Sequence, residues 1–358
     1  MIRILVDLLF YTGTKGGMES YVRNLYSSMG RHDFEFVALA SRELASSDNS
    51  WFPGRVIDSG ISGESRIAWA WGELTAVSTT ARKEGADLIH APANIGPWRA
   101  KVPVVLTLHD LLPFVRPAFV PGRYAPLLRL LVSRAARNAR RVLTISEHSR
   151  TDIESVLHIS PTAIDVIPLA GSLGAEVFPR ERRPDLLIAL GNRLPHKNFA
   201  ALVRAMALLP EALRPHLVIT GGGADDPLAP LVMSLGLTRS ITLTSWLSQE
   251  EVEGLYAHAT AVIVPTLFEG FGLPVLEAMA RGCPVACSDI PVLREVAGEA
   301  AEFFDPEDDD DIAAALSRIL GDVSRRLDLT AAGLARAEHY SWQKTADATR
   351  TSFQRAIE

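Results

Sequence analysis

With 358 residues, 47% hydrophobic and 22% charged, the chain has the composition of a soluble globular protein and the length of two domains. Disordered, collagen-like and disulfide-scaffold classes are excluded, since the two cysteines, Cys283 and Cys287, lie too far apart on one strand to pair. The net charge of −6 divides unevenly: residues 1–168 carry 19 basic and 16 acidic side chains, residues 169–358 carry 17 and 26, and so acidic a whole excludes a nucleic-acid binder.

The first apolar run, Ile2–Val6, meets Asp7 and no small-residue cleavage site, so it predicts a buried strand and not a signal peptide. Gly16-Gly17 then opens a helix, Gly17–Met29. The pair is neither a Walker loop nor a G-x-G-x-x-G fingerprint; it permits close approach of a ligand to the backbone, and equally a tight turn. Further strands are predicted at Phe34–Leu39, Leu88–Ile89, Val102–Leu108, Arg141–Ile145 and Ala163–Ile167, with helices at Ser65–Glu84 and Leu127–Asn138. His109 closes the strand Val102–Leu108, at the end where doubly wound sheets place working groups, although a lone histidine there is more often structural. Between 123 and 141 stand Arg123, Arg129, Arg134, Arg137, Arg140 and Arg141 with no acid among them. Leu127, Leu128, Leu130, Leu131 and Val132 complete an apolar face there, which fits a core helix with a solvated basic side or contact with an anionic membrane surface.

Residues 168–185 have linker chemistry, rich in Pro, Gly and charge. A second series of strands follows at Leu186–Leu190, Leu217–Thr220, Ile241–Thr244, Ala261–Val264, Pro284–Cys287 and Ala301–Phe303. Its helices are Asn198–Leu208, Gln249–Ala257 and Pro274–Ala280, and Ser341–Glu358 reads as a final amphipathic helix. The alternation predicts an α/β protein of two doubly wound parallel sheets, residues 1–168 and 169–340, facing across a cleft, with 341–358 returning to the first domain. The longest stretch without Asp, Glu, Lys or Arg is Gly254–Phe268, too short to span a bilayer, so a cytoplasmic protein is expected.

Two loops carry the strongest chemical signal. In Glu269-Gly-Phe-Gly-Leu-Pro-Val-Leu-Glu277 a strand ends, glycines follow, and Pro274 begins a helix. The backbone N–H groups of Gly270, Phe271, Gly272 and Leu273 then form an anion site, while Glu269 and Glu277 suit hydroxyls better than phosphate. An acidic first helical turn accounts for Glu277 but leaves Glu269 and the glycines without a reason. In Gly191-Asn-Arg193-Leu-Pro-His196-Lys197-Asn198, Arg193 and Lys197 share a strand-to-helix loop and can offset a diphosphate, with Asn198 as helix cap. Gly221, in Gly221-Gly222-Gly223, is another close-approach position. No G-x-S-x-G elbow, CxxC pair or HExxH motif is present, and neither a metal nor a cofactor is expected.

With its paired glutamates separated by seven intervening residues, the segment Glu269 to Val285 resembles the retaining glycosyltransferases of family 4, which have the GT-B fold. The resemblance covers nearly the whole chain through Gly16-Gly17, His109, Thr144-Ile-Ser146-Glu-His-Ser-Arg150, Arg193, Lys197-Asn198, Ser288-Asp-Ile-Pro-Val-Leu-Arg-Glu295 and the corner Tyr340-Ser-Trp342. It implies a nucleoside diphosphate sugar donor, a hydroxyl acceptor and metal-free transfer with retention. By residue it implies Gly16 and Gly17 beside the diphosphate, Arg193 and Lys197 on its phosphates, and Glu277 on the ribose. Glu269 and the amides of Gly270 to Leu273 would hold the transferred sugar and distal phosphate, and His109 would contact that sugar. His109-Asp-Leu-Leu-Pro113 is similar to a subset using GDP-mannose, with UDP-hexoses and dTDP-rhamnose left open. A non-catalytic sugar-nucleotide-binding protein and a sugar-nucleotide epimerase are the rival classes.

Overall fold

In the computed structural model, described for residues 1–13, 16–30, 34–120, 124–171 and 183–358, the apolar runs become parallel strands. The first unit comprises Met1–Leu169 and Ser341–Glu358. Its strands are β1 (Ile2–Leu8), β2 (Phe34–Ala40), β3 (Arg55–Asp58), β4 (Leu88–Ala91), β5 (Val104–Leu108), β6 (Arg141–Thr144) and β7 (Ile164–Val166). They lie in the order β3-β2-β1-β4-β5-β6-β7. The sequence predicts six of these strands and misses β3, an edge strand bracketed by Arg55 and Asp58 with only two apolar residues.

The second unit, Ala170–Tyr340, holds β8 (Leu186–Ala189), β9 (His216–Ile219), β10 (Ile241–Leu243), β11 (Ala261–Val264), β12 (Val285–Ser288) and β13 (Glu302–Phe304). Their order is β10-β9-β8-β11-β12-β13. Alternate residues of each strand enter opposite cores: Leu187, Leu217 and Ile263 on one face, Ile188, Val218 and Val262 on the other. Each such fully buried side chain contributes about 1.5–3 kcal/mol. Both sheets thus have the doubly wound order, in which ligands bind beyond the strand carboxyl ends at the switch points β1/β4 and β8/β11. Cys283 and Cys287 are buried free thiols.

The final helix, Trp342–Ile357, begins at Ser341, whose side chain accepts from Lys344 N. It packs on the first unit: Phe353 meets Phe34 and His90 edge-on, at 6.0 and 5.1 Å, and Arg350 donates to the Met29 carbonyl at 2.7 Å.

The helix Ala125–Asn138 divides the apolar face expected of it. Leu131, Val132, Ala135 and Ala136 are buried in the core, whereas Leu127 and Leu130 are 52% and 56% exposed. Of the six arginines, Arg123 lies outside the described residues. Arg137 and Arg140 are exposed, Arg129 is half-buried, and Arg134 stacks over Trp98 at 4.9 Å. Arg141 departs from the expected surface stripe: it makes a bidentate pair with Asp165, both contacts 2.6 Å, because β6 and β7 are neighbours.

Candidate functional site

The loops after β8 and β11, neighbours across the second switch point, are the two that the sequence singles out. They are stitched by their backbones: Leu267 N and the Thr266 hydroxyl both donate to the His196 carbonyl, at 2.7 and 2.9 Å. On that frame Lys197 Nζ meets Glu269 Oε1 at 2.6 Å, with the two side chains 17% and 13% exposed. The expected phosphate cation and the expected sugar carboxylate, 72 residues apart, therefore form one ion pair. Beside them His196 is pushed down to about 4 by burial and then by the Lys197 charge, so its imidazole is neutral.

Arg193 is held from within the protein. Its Nε reaches both Asp226 oxygens, at 3.0 and 2.9 Å, and its terminal nitrogens donate to the carbonyls of Gly191, Thr220 and Ile219. Burial alone would raise the Asp226 carboxyl, but hydrogen bonds from Arg193 and Leu228 N, with the Arg193 charge, hold it below the ordinary value. At Gly221 a Cβ would collide with the Gly191 carbonyl. What this glycine admits at close range is the loop after β8. At Gly222 a Cβ would collide with Asp226 and come within 2.9 Å of Arg193. Asn198 does not cap the next helix: it is left-handed, with φ of 58°, and its amide donates to the Pro306 carbonyl at 2.7 Å. Side-chain capping calls for an extended backbone at that position.

After β11 the chain turns at Gly272, where φ is 107° and a Cβ would lie 2.5 Å from Leu293 Cδ2. Only glycine fits there without strain. The helix Leu273–Ala280 starts at that turn with Pro274 in its first turn and no side-chain cap. Its amino end is the positive pole of the helix dipole. Gly270 and Phe271 are buried, and the Phe271 ring stands edge-on to Tyr340 at 5.9 Å, so that side chain packs while its backbone lines the turn. Glu277 falls in the second turn, not the first as the sequence suggests, and the dipole no longer explains it. Its Oε2 instead accepts a long hydrogen bond, 3.4 Å, from the Tyr256 hydroxyl.

In the first unit, Gly16 and Gly17 are exposed at the start of the helix Gly16–Met29, and no atom would lie within 4 Å of a Cβ at either. Glu19 on that helix accepts from Thr12 N and its hydroxyl, at 2.6 and 2.8 Å, and so anchors the loop after β1. His109 is buried, edge-on to Tyr21 at 4.9 Å, and its Nε2 lies 2.8 Å from the Pro92 carbonyl. A carbonyl only accepts, so Nε2 carries the proton and Nδ1 is a lone-pair acceptor. Burial, only partly opposed by that hydrogen bond, pushes His109 down to about 4.

Sequence reasoning missed Asp226, Glu19, Tyr256, Glu253 and Arg281. A signal existed for Arg281 alone, four residues after Glu277 on one helix.

Residues 15–170 match the family described as Glycosyltransferase Family 4, and residues 176–336 match Glycosyl transferases group 1. The O-antigen chain mannosyltransferase B of Escherichia coli is 32% identical over 282 residues, 75% of this chain and 74% of that protein. The MMP alpha-(1->4)-mannosyltransferase of Mycolicibacterium hassiacum is 32% identical over 300 residues, 77% and 72% of the two chains. Among solved structures, sucrose-phosphate synthase from Thermosynechococcus elongatus superimposes with a TM-score of 0.81 at 19% identity over 99% of each chain. Anabaena HepE in complex with UDP and glucose gives 0.75 at 17% identity, covering 99% of this chain and all of that one.

Proposed function

Because the chain belongs to the family 4 glycosyltransferases of the GT-B fold class and is mannosyltransferase-like, we propose that it transfers mannose from GDP-mannose to a hydroxyl of a glycan, lipid-linked or small-molecule acceptor. The mannosyl part of this reading is supported by the two mannosyltransferase relatives, and the observation that carries sugar-nucleotide transfer is the Lys197–Glu269 pair at the switch point of the second sheet, ahead of a helix with no side-chain cap. Breaking a glycosyl–phosphate bond leaves negative charge on the diphosphate and positive character on the sugar. Lys197 and the amino end of the helix Leu273–Ala280 stabilise the first without a metal. Glu269 accepts from a sugar hydroxyl, and Glu277 from the ribose. For Gly16, Gly17 and His109 of the first unit the proposal keeps the donor-contacting roles that the family resemblance implies.

Retention through a covalent intermediate requires a carboxylate nucleophile near the anomeric carbon. Glu269 has one oxygen engaged by Lys197, which makes it a poor one. The reading is therefore front-face attack, in which the leaving phosphate takes the acceptor's proton. Arg193, held by Asp226, acts here by shaping the phosphate loop. Incubation with GDP-mannose, UDP-glucose and dTDP-rhamnose, followed by detection of slow donor hydrolysis, tests the donor. Hydrolysis of the UDP or dTDP sugar alone refutes GDP-mannose, and no hydrolysis of any favours a binding protein.

A second reading rests on the segment from the helix Ala125–Asn138 to Arg140, along which Leu127, Leu130, Arg137 and Arg140 are exposed. Exposed apolar residues and exposed arginines on one segment suit the anionic inner leaflet, where each basic residue contributes about 1 kcal/mol. No helix among the described residues is long and apolar enough to cross a membrane. Sedimentation with anionic vesicles should fall in high salt and in R137S/R140S; a protein that stays in the supernatant at low salt refutes the reading.

A further inference from the structure

Next to Glu277 stand buried Arg281 and Tyr256 and half-buried Glu253, to which the proposed chemistry gives no role. Arg281 is 1% exposed, one turn after Glu277 on the helix Leu273–Ala280 and its C-cap. Its Nε and one terminal nitrogen grip both oxygens of Glu253, and its other terminal nitrogen donates to the Glu277 carbonyl at 2.9 Å. The guanidinium also lies 4.5 Å over the ring of Tyr256. Tyr256 and Glu253 belong to one helix, Gln249–His258, whose amino end is locked by a capping box between Ser248 and Glu251. Two helices are thereby tied at one point, and the Tyr256 hydroxyl is delivered to Glu277 Oε2.

A buried arginine without a charged partner is costly, and Glu253 supplies that partner here. Through its hydrogen bond to the Glu277 carbonyl, Arg281 also holds the main chain from which that carboxylate projects. Tyr256 is completely buried, and desolvation, followed by the nearby Glu277 charge, raises its phenol well above the ordinary value. It therefore keeps its proton and acts as a donor.

We infer that Tyr256, held by Arg281 and Glu253, is a positioning residue that fixes one oxygen of Glu277 and turns the carboxylate toward the ribose hydroxyls of the donor nucleotide. The inference rests on the reading of Glu277 as the ribose ligand. A carboxylate on a free side chain samples several rotamers, and a hydrogen bond at one oxygen selects among them before the nucleotide arrives. The role is thus selectivity for ribose, separate from the stability that the buried ring provides.

Tyr256→Phe removes the hydroxyl and keeps the ring under the guanidinium. The test is titration calorimetry of wild type, Y256F, E277Q and the double variant with GDP, UDP and dTDP, each against its counterpart lacking the ribose hydroxyls. Wild type should bind its preferred nucleotide at least about tenfold tighter than the hydroxyl-free counterpart, the scale of a hydrogen bond to a charged group. Y256F should bring that ratio within about threefold, leave affinity for the counterpart unchanged, and add nothing in the E277Q background. Equal weakening toward both ligands, or an unchanged ratio, overturns the positioning role. If wild type itself fails to distinguish the two forms, or binds none of the nucleotides, the ribose reading of Glu277 falls first.

Discussion

Asp226→Ala tests whether Arg193 is held by the protein. Arg193 makes contacts of 2.8–3.0 Å with both Asp226 oxygens, and the two side chains are only 9% and 8% exposed. Removing Asp226 leaves the guanidinium among the carbonyls of Gly191, Ile219 and Thr220, which accept hydrogen bonds but carry no charge. Breaking a buried pair this way costs about 3–5 kcal/mol. In a unit of this size that lowers Tm by about 10 °C. Arg193→Ala should cost less, about 2–3 kcal/mol, since the orphaned Asp226 retains Leu228 N–H and can take up a proton. The double variant should be more stable than D226A alone. Urea and thermal unfolding followed by circular dichroism measure all three. The Asp226 carboxyl is held low in the fold, so its contribution is complete above the ordinary value of 3.8 and is lost as pH falls through the folded value. The D226A deficit should therefore be constant from pH 5 to 8 and shrink only in stronger acid. A D226A variant within about 1 kcal/mol of wild type, or a double variant as weak as the two singles summed, would refute the structural assignment of Arg193.

Lys197→Ala should reduce turnover about 100-fold, the scale of losing one transition-state donor; activity near wild type would remove Lys197 from the phosphates. Gly272→Ala combines a φ of 107° with a 2.5 Å approach to Leu293, so a loss of about 1–3 kcal/mol and weaker nucleotide binding are expected in thermal-shift assays. Asp7 is buried in the first unit, and burial pushes its carboxyl up to about 7, with one oxygen unpaired and Glu73 nearby also raised. A group raised in the fold contributes stability below its unfolded value of 3.8 and loses it as pH rises through about 7. Asp7→Asn should therefore melt several degrees above wild type at pH 8 and close to it at pH 4; an equal difference at both would contradict the buried, protonated carboxyl.

Much of the architecture was legible because buried parallel strands are near-continuous apolar runs, and β8 and β11 stand out on that ground. Edge strand β3 lacks that signature, since Arg55 and Asp58 face solvent and leave two apolar residues. The paired-glutamate loop was legible because its neighbours in sequence are its neighbours in space: the glycine turn, Pro274 and the helix are all local features. Leu127 and Leu131 show the limit of composition. Both read as one apolar face, yet Leu131 enters the core and Leu127 faces outward.

What the sequence by itself determined was the two strand-to-helix loops and the strand ends on which they stand. Only the tertiary structure decided which charge meets which. Lys197 and Glu269 were expected at separate tasks and form one pair, while Arg193 goes to Asp226 and Arg141 to Asp165. The reason is strand order: a doubly wound sheet places β8 beside β11 across the switch point and β9 on its other side. Loops tens of residues apart thereby come within the few ångströms over which ion pairs and hydrogen bonds act, a distance that spacing along the chain does not encode.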